Sequence, residues 1–545
     1  MRALFWFLAA AAAGSAGAGP LAFVDEAADA GADADGAKFA GAAFGDLDGD
    51  GCYALAVNRI GASLTLYRSD CARSPSYADV TGSIAPGLGP EERSIAWGDL
   101  DNDGRADLVR TGSVGGGAGG IEISLGHGWG APLGDAGAPS AVIVRSNGQP
   151  MNLEGLGLVD FDADGWLDVM AQTIGIRLWR NPADGGVSME EVSTTADPHG
   201  LPLADTNGDY ATVADYDDDG DVDFLVRNIT VPALWENLGG RFAANASFTN
   251  RTEDIGNQDK GGVVFCDFDS DGLLDIFWSS PASVVLDAAW RQGPAGTFTA
   301  QAPVAGLLGN VEGAACGDVD NDGDPDLFLT TVAGAQLYLN TTSPGGSIQL
   351  EQQPQSFGSG DTWSAVLLDE DRDGDVDVYV NQDGPNSLWR NLLDDARAVE
   401  IRARRALPGG LYRDDVGATV RLETCAGGLA SGVQSVSGGN GRGSQDSPRL
   451  HFGLAGRAEA VLVARVRFVG GHVVRRAFGT AGLAPATVID VVSDDADDLA
   501  ACGGRGLFGI GCSCSQAGGH AGAMALLVAG LLACARRPRA CRRGR

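Results

Sequence analysis

The sequence predicts an all-β protein, a seven-bladed β-propeller followed by a small antiparallel β domain. The 545 residues include 82 glycines, roughly twice the usual share of ~7%, which favours many tight turns. An acidic motif, D-x-D-x-D-G-x-x-D, recurs seven times at intervals of 51 to 61 residues. Self-similarity at a period of about 50 residues is typical of propellers and other repeat folds. Each interval holds about four short β-rich runs, which is the content of one blade.

The N-terminus has the layout of a secretory signal peptide over residues 1–18. Arg2 gives a basic start, Ala3–Ala13 is an apolar run, and Ala16-Gly17-Ala18 is a small-residue cleavage site. The apolar run is too short for a membrane helix, which needs about 20 residues. We therefore expect a secreted chain that begins near Gly19, with the propeller over residues 19–395.

The C-terminus carries a second processing signal. Residues 496–520 form a Gly- and Cys-rich linker, and residues 521–545 combine an apolar run, Ala521–Ala535, with an arginine-rich tail. This segment can be a retained membrane anchor. Together with Gly511-Cys512-Ser513-Cys514 it resembles the myxobacterial-type C-terminal sorting signal, which implies cleavage near the cysteines and display on a bacterial surface. We favour the sorting tag.

The charge balance limits the partners. Acidic residues outnumber basic ones by 72 to 38, a net charge of −34, and such a surface repels the phosphates of nucleic acids. The hydrophobic share of 44% is enough for large cores, so acidity does not indicate disorder here. We expect no nucleic-acid partner and membrane contact only through the C-terminal tag.

The repeated motif has the ligand pattern of a calcium loop. Carboxylates at positions 1, 3 and 5 can converge on one hard cation, Gly at position 6 permits the sharp turn, and the aspartate at position 9 closes the site. All-oxygen ligation with high negative charge selects Ca²⁺ over Zn²⁺ or Cu²⁺. An EF-hand needs Glu at position 12, where the second and third loops have Arg110 and Ala171, so that alternative fails.

We predict up to seven structural Ca²⁺ sites, the first of them weak or empty because Ala54 stands at its position 9. A metal-free acidic turn is the alternative for a single motif, but seven regularly spaced motifs favour calcium. The predicted ligands, loop by loop, are Asp46, Asp48 and Asp50; Asp99, Asp101, Asp103 and Asp107; Asp160, Asp162, Asp164 and Asp168; Asp215, Asp217, Asp219 and Asp223; Asp267, Asp269, Asp271 and Asp275; Asp318, Asp320, Asp322 and Asp326; and Asp369, Asp371, Asp373 and Asp377.

Motifs for catalysis are scarce, and we expect no enzyme and no catalytic residue. The five histidines have no zinc-ligand spacing and no flanking nucleophile motif. We expect His451 to be a packed structural residue. The tryptophans that recur within the repeats can bind sugars or pack between blades, and their equivalent positions favour packing. They are Trp179, Trp235, Trp290 and Trp389.

A β domain is predicted over residues 396–495, because apolar and polar residues alternate with period two in 399–404, 418–423 and 461–469. Ten cysteines fit an oxidising compartment. The candidate disulfides are Cys52–Cys71, Cys266–Cys316 and Cys425–Cys502, with buried free thiols as the alternative for Cys266 and Cys316.

Residues ~21–395 resemble FG-GAP/VCBS repeats, which form seven-bladed propellers in integrin α-subunits. The following domain resembles the ASPIC/UnbV domain of cartilage-acidic-protein-like proteins. It matches at 413–418 (R-D-D-V-G-A), 443–447 (G-S-Q-D-S) and 451–454 (H-F-G-L), whereas Phe468-Val469-Gly470-Gly471 replaces the usual Trp-Pro-x-Gly. The resemblance is specific for fold and unspecific for function.

Three functions are compatible with these features. The leading hypothesis is a non-catalytic, calcium-stabilised surface protein for adhesion or for binding a glycan, matrix component or extracellular protein. The alternative is a polysaccharide-acting enzyme or lectin-like accessory with a site in the propeller channel. A third hypothesis is a structural component of the surface coat.

Overall fold

The computed structural model describes residues 21–503 except for short segments. The excepted segments are 37–40, 48–51, 59–63, 73–74, 87, 89–90, 115–117, 130, 135–138, 144–154, 174, 194–209, 228–233, 246–247, 249–260, 280–287, 304–310, 394–396, 440–442, 455–456 and 486. The signal peptide, most of the predicted linker, the C-terminal tag, Asp48 and Asp50 therefore lie outside the described residues.

The chain up to Asn391 forms seven four-stranded antiparallel sheets in a propeller-like arrangement. The first three sheets are β3 (Ala42–Gly45), β4 (Ala54–Val57), β5 (Thr65–Ser69) and β6 (Tyr77–Asp79); β7 (Glu91–Gly98), β8 (Asp107–Val114), β9 (Ala118–Ser124) and β10 (Ala141–Ile143); and β11 (Gly155–Val159), β12 (Asp168–Thr173), β13 (Gly175–Arg180) and β14 (Glu190–Glu191). The next three are β15 (Tyr210–Ala214), β16 (Asp223–Arg227), β17 (Leu234–Asn237) and β18 (Phe242–Ala244); β19 (Val263–Cys266), β20 (Asp275–Trp278), β21 (Ala288–Gly293) and β22 (Thr297–Pro303); and β23 (Val311–Gly317), β24 (Asp326–Thr331), β25 (Ala335–Asn340) and β26 (Leu350–Phe357).

The last sheet is completed by the N-terminus. It consists of β27 (Thr362–Leu368), β28 (Asp377–Gln382), β30 (Ser387–Asn391) and the N-terminal strand β1 (Phe23–Asp25), which pairs with β30. The first strands of the sheets contact one another in the order β3, β7, β11, β15, β19, β23 and β27, and β27 returns to contact β3. The ring is thus closed, because the N-terminal strand β1 and the last propeller strand β30 pair in one sheet.

Minor elements complete this region. A two-residue pair joins β2 (Asp35–Gly36) to β29 (Gly384–Pro385), and two four-residue helices are α1 (Ala27–Ala30) and α2 (Thr81–Ile84). Short 3-10 turns occupy Pro294–Gly296 and Ala500–Cys502. None of the described helices is long and apolar enough to cross a membrane.

The cores lie between neighbouring sheets. Trp179 of the third sheet packs with Val109 and Ile123 of the second, and Trp235 of the fourth packs with Phe161 of the third. Because both faces of a sheet are covered by its neighbours, strands such as β24 and β28 are buried at every residue. The predicted packing role of the recurring tryptophans is confirmed.

The C-terminal domain is built from two four-stranded sheets. One contains β31 (Ala398–Leu407), β32 (Leu411–Asp414), β35 (Arg449–Gly453) and β38 (Val488–Val492), and the other contains β33 (Thr419–Thr424), β34 (Gln434–Ser435), β36 (Val461–Arg467) and β37 (Val473–Gly479). Their apolar faces share one core. The pairs are antiparallel except that β38 runs parallel to β31, a departure from the predicted antiparallel domain that arises because the chain crosses over before its last strand.

Candidate metal centre

Each acidic loop joins the first strand of a sheet to the second. Position 1 directly follows the first strand, and position 9 is the first residue of the second strand in the six complete loops, as with Asp99 and Asp107 around the turn from β7 to β8. Because the first strands are equivalent around the ring, these loops lie on one face of the propeller. We call this the loop face.

The backbone of the loops explains their sequence. Position 4 is left-handed in all six complete loops, with φ between +49° and +59°, and the glycine at position 6 has φ between +86° and +101°. The position 6 N–H donates to the position 1 carboxylate, for example from Gly104 to Asp99 over 2.8 Å and from Gly374 to Asp369 over 3.0 Å. A side chain at such a φ is strained, so the glycine is required by the turn.

The position 9 aspartates hold the loop to the rest of the blade. In the fourth loop, Asp223 accepts the N–H of Tyr216 at 3.1 Å with one oxygen and the N–H of Asn237 at 2.7 Å with the other. Asp168 and Asp326 make the same two kinds of contact in their loops. Position 9 is therefore an architectural residue as well as a candidate ligand.

Among the described residues, at least five loops bring three carboxylates within 4.8 Å of one another. Positions 1, 3 and 9 form the group in the second, third, fourth and sixth loops, whereas positions 1, 3 and 5 form it in the fifth. The members are Asp99, Asp101 and Asp107; Asp160, Asp162 and Asp168; Asp215, Asp217 and Asp223; Asp318, Asp320 and Asp326; and Asp267, Asp269 and Asp271.

Position 5 serves mainly the turn. Asp219 accepts the N–H of Asp221 at 2.9 Å and Asp322 accepts that of Asp324 at 3.0 Å, and both side chains are exposed. From the sequence, positions 1, 3 and 5 are expected to contribute equally as ligands. The loop geometry instead places positions 1, 3 and 9 closest together in most loops, because the turn points position 5 outward.

Arginines balance part of the negative charge of the loops, since Arg180 pairs with Asp162, Arg291 with Asp269 and Arg390 with Asp371. Burial raises the pKa of Asp99 and Asp215 to about 7 and that of Asp168 and Asp275 to about 9. Burial also raises the pKa of Asp326 well above its usual value, with neighbouring carboxylates adding to the effect. Without a cation, these carboxylates are therefore partly or largely protonated at neutral pH.

The donor set fits a hard cation. Within the described residues, buried Oδ1 atoms of five loop carboxylates accept no hydrogen bond: those of Asp160, Asp217, Asp269, Asp318 and Asp371. A buried carboxylate oxygen without a donor is costly unless an ion occupies the place of the donor. The groups are all-oxygen and highly charged, which is the ligand chemistry of Ca²⁺. Calcium, when bound, would supply charge neutralisation and would cross-link the loop.

The first loop is different, as its sequence suggested. Asp46 is buried, and its Oδ2 lies 3.4 Å from the Arg402 guanidinium of the C-terminal domain. Arg402 is held in place by an ion pair with Asp414. A guanidinium thus stands beside the position 1 carboxylate of the loop that lacks a position 9 aspartate.

The structure also shows connecting residues that the sequence argument missed. The side-chain amide of Asn237 donates to the carbonyl of Phe161 in the preceding loop at 2.8 Å, and Asn391 donates to Val319 at the same distance. Asn181 and Asn340 repeat this contact. The signal was present, since an asparagine ends the closing strand 13 or 14 residues after the position 9 aspartate in these four repeats.

The C-terminal domain covers the loop face. Residues 396–495 contain thirteen arginines and nine acidic residues, so this domain is basic within an acidic chain. Val433 N–H donates to Asp267 at 2.9 Å, Gly453 N–H donates to Asp318 at 2.8 Å, and Arg413 donates to the carbonyl of Gly165 at 3.1 Å. Charge complementarity and direct hydrogen bonds therefore join the domain to several loops.

A segment of the same domain enters the propeller channel. Gln445 exchanges side-chain hydrogen bonds with the backbone of Trp97 at 2.6 and 3.0 Å, and the Gly438 carbonyl accepts the N–H of Leu158 at 2.8 Å. Its contacts reach the first strands β3, β7, β11 and β27. A cavity of about 110 Å³ remains beside β15, β19 and β23, which has room for several water molecules.

Other sequence predictions can be placed on the structure. Disulfides join Cys52 to Cys71, Cys266 to Cys316 and Cys425 to Cys502, which confirms all three candidate pairs and removes the free-thiol alternative. His451 is buried, its Nε2 lies 2.7 Å from Oδ1 of Asn321, and burial lowers its pKa to about 4. It is a packed structural residue, as predicted.

Comparison with known families finds matches in both parts of the chain. A model of the FG-GAP-like repeat matches residues 215–278, 267–329 and 318–380, each starting at position 1 of an acidic loop, and a model of the ASPIC and UnbV domain matches residues 410–476. No curated protein matches the sequence.

Two solved structures with remote similarity are an Agrocybe aegerita lectin that recognises non-reducing terminal N-acetylglucosamine and the WD40 β-propeller domain of Doa1. The lectin is 18% identical with a TM-score of 0.41, over 60% of this chain and 82% of the lectin. The Doa1 domain is 14% identical with a TM-score of 0.37, over 66% of this chain and 94% of the domain.

Proposed function

We propose that this protein is a non-catalytic, calcium-stabilised extracellular binding protein built on a seven-bladed propeller. The presence of FG-GAP-like repeats fits a binding role. The observation that carries the proposal is the ring of buried carboxylate groups beneath the C-terminal domain. Groups covered in this way can hold ions for structural purposes, whereas a catalytic metal needs an open coordination position for its substrate.

The ions would be held by positions 1, 3 and 9, with position 5 as an additional outer ligand. Extracellular calcium modules bind with dissociation constants of about 10⁻⁴ to 10⁻³ M. At millimolar calcium, each site then stabilises the folded state by on the order of 1 kcal/mol. Several sites together would decide whether the ring stays closed.

The ligand, in this proposal, binds outside the channel. The segment around Gln445 fills the channel on the side of β3, β7, β11 and β27, and the cavity left is about 110 Å³. That segment occupies the space along four of the seven first strands that an oligosaccharide in the channel would need. It therefore argues against the alternative of an enzyme or lectin with its site in the channel, and favours an outer surface that binds a glycan, matrix component or extracellular protein.

An extracellular, surface-attached location completes the proposal. Three disulfides are typical of proteins from oxidising compartments. The signal-peptide layout of residues 1–18 and the tag-like layout of 521–545 agree with export and attachment to a bacterial surface.

The test is a thermal melt of the purified protein in millimolar calcium and again in excess chelator, with metal content measured on the same samples. We expect a large fall in melting temperature on chelation. An unchanged melt in protein that the assay shows to be stripped of metal would refute structural calcium. Immobilised glycans and extracellular matrix proteins, tested in calcium, should then show saturable binding without turnover; turnover would refute the non-catalytic role.

A further inference from the structure

Three arginines lie directly opposite one another on the outer face of the second sheet of the C-terminal domain. Arg421 on β33 pairs with Arg465 on β36, which in turn pairs with Arg475 on β37. Neighbouring strands are about 4.8 Å apart, so the row places three positive charges within about 10 Å. Like charges directly opposite in a sheet are destabilising, and such a row needs negative charge in front of it.

Each of the three described carboxylates near this row pairs with an arginine of the row or with Arg467 beside it. Asp218, from the fourth acidic loop, forms a two-point ion pair with Arg467. Glu423 accepts a hydrogen bond from Arg421 at 3.1 Å. Asp497 lies 3.6 Å from Arg475. Four guanidinium groups thus share three carboxylates.

The central arginine has the poorest partners. Arg465 lies 3.5 Å from Asp218 and 3.8 Å from Glu423, whereas a direct charge-assisted hydrogen bond to a carboxylate is about 2.7–2.9 Å long. Its side chain is only 9% exposed. Burial lowers its pKa, and the positive charge of Arg421 adds to that effect. The row is therefore locally electropositive in a chain with a net charge of −34.

We propose that this arginine row binds an oxoanion group, a carboxylate or a sulfate ester, carried by an acidic polysaccharide. The inference rests on the proposed binding function and names the class of ligand. The side chains of Arg421 and Arg475 are 24% and 41% exposed, so an anion can approach between them and complete the coordination of Arg465. Planar guanidinium groups hold two oxygens of one anion at once.

A glycan suits the site better than a nucleic acid. A nucleic acid presents closely spaced phosphates and needs an extended basic surface, whereas the overall charge of this chain repels a dense polyanion. One short row of arginines can accept one or two anionic groups. That matches sugars that carry an acidic substituent at intervals along the chain.

The experiment compares acidic and neutral polysaccharides. Binding of the full-length protein to chondroitin sulfate, hyaluronan and unmodified dextran is measured by biolayer interferometry in 150 mM sodium chloride and 1 mM calcium. The test variant is Arg421→Gln with Arg475→Gln, which leaves the buried Arg465 intact. The matched control is Arg476→Gln, since Arg476 is adjacent in β37 and lies on the opposite side of the strand, with Asp495 at 3.6 Å. Thermal melts confirm that all variants are folded.

We expect at least a tenfold loss of affinity for the acidic polymers in the double variant, no change in the control and no binding of dextran. Equal affinity of wild type and double variant for the acidic polymers would overturn the proposal, as would equal binding of dextran and chondroitin sulfate. Stabilisation by inorganic sulfate without polymer binding would also overturn it. If the double variant keeps its affinity for acidic polymers but the protein binds other glycans or matrix proteins, the proposed binding function stands and the anion site is refuted. If no sample binds any ligand, both the proposed function and the anion site are refuted.

Discussion

Two substitutions in the fourth acidic loop separate calcium binding from architecture. Asp217 has a buried Oδ1 that accepts no hydrogen bond from the described residues. Asp223 belongs to the same carboxylate group, but both of its oxygens accept backbone N–H groups, from Tyr216 and Asn237. Replacing either by Asn removes one negative charge. Only the change at Asp223 also turns an amide NH₂ toward a backbone donor.

The expected magnitudes follow from these contacts. Losing one site with a dissociation constant of about 10⁻⁴ M at 1 mM calcium costs about 1.4 kcal/mol. Leaving a buried N–H unpaired costs a further ~1–3 kcal/mol. At roughly 2 cal/mol/K per residue, a unit of about 480 residues shifts by about 1 °C per kcal/mol. Asp217→Asn should therefore lower the melting temperature by about 1 °C in calcium and Asp223→Asn by about 3 °C.

Calorimetry with and without chelator tests the reasoning. In chelator, the deficit of Asp217→Asn should vanish or reverse, because burial raises the pKa of Asp217 to about 6 and the charge is unfavourable without a cation. The deficit of Asp223→Asn should persist, because its backbone hydrogen bonds do not depend on metal. A deficit of Asp217→Asn that survives chelation, or one of Asp223→Asn that disappears, would refute the division of roles.

Four further predictions follow from the same contacts. The purified protein should contain six calcium ions per chain, since the first loop has Ala54 in place of a position 9 aspartate and Arg402 beside Asp46; seven ions would contradict this. Asn237→Ala should lower the free energy of unfolding by about 2–4 kcal/mol, because the carbonyls of Phe161 and Val222 and the N–H of Gly240 lose their hydrogen bonds to the Asn237 side chain. A calorimetric change under about 1 kcal/mol would argue against this link between blades. In chelator, the free energy of unfolding should fall from about pH 4, where aspartates of the unfolded chain ionise, to about pH 9, the pKa to which burial raises Asp168 and Asp275. Excess calcium should flatten that profile, and a free energy of unfolding that rises with pH in chelator would contradict this prediction. Gly453→Ala should loosen the C-terminal domain, because an added Cβ would lie 2.4 Å from the backbone of Asn321, and unchanged resistance to limited proteolysis would refute that.

Much of the architecture could be predicted because it is periodic. The spacing of the acidic motif predicted the repeating sheets, and the alternation of apolar and polar residues over 399–404 predicted strand β31. Closure of the last sheet by β1 could not be predicted in this way, because Phe23–Asp25 is too short to show a pattern and its partner β30 lies more than 360 residues away. The parallel pairing of β38 with β31 is likewise a product of tertiary packing that local sequence does not encode.

The sequence also predicted which ligand atoms the loops offer, but it predicted the geometry of the loops only in part. Residue types identified oxygen ligands, whereas the outward position of residues such as Asp219 depends on a left-handed residue at position 4, which here is Asp218. The role of Arg402 at the first loop joins residues 356 positions apart. No local pattern could have linked them.

The segments by which the C-terminal domain resembles its family are the ones that hold it to the propeller. Arg413 of the first segment donates to Gly165, Gln445 of the second enters the channel, and Gly453 of the third donates to Asp318. The backbone of Gly453 can approach the sixth loop this closely only without a Cβ. These residue types are therefore explained by docking rather than by a ligand, and the basic domain acts as a fixed counter-charge to the acidic loops. In the proposed scheme, calcium would neutralise the complete loops, whereas in the first loop, which lacks a position 9 aspartate, Arg402 contacts the position 1 carboxylate of Asp46.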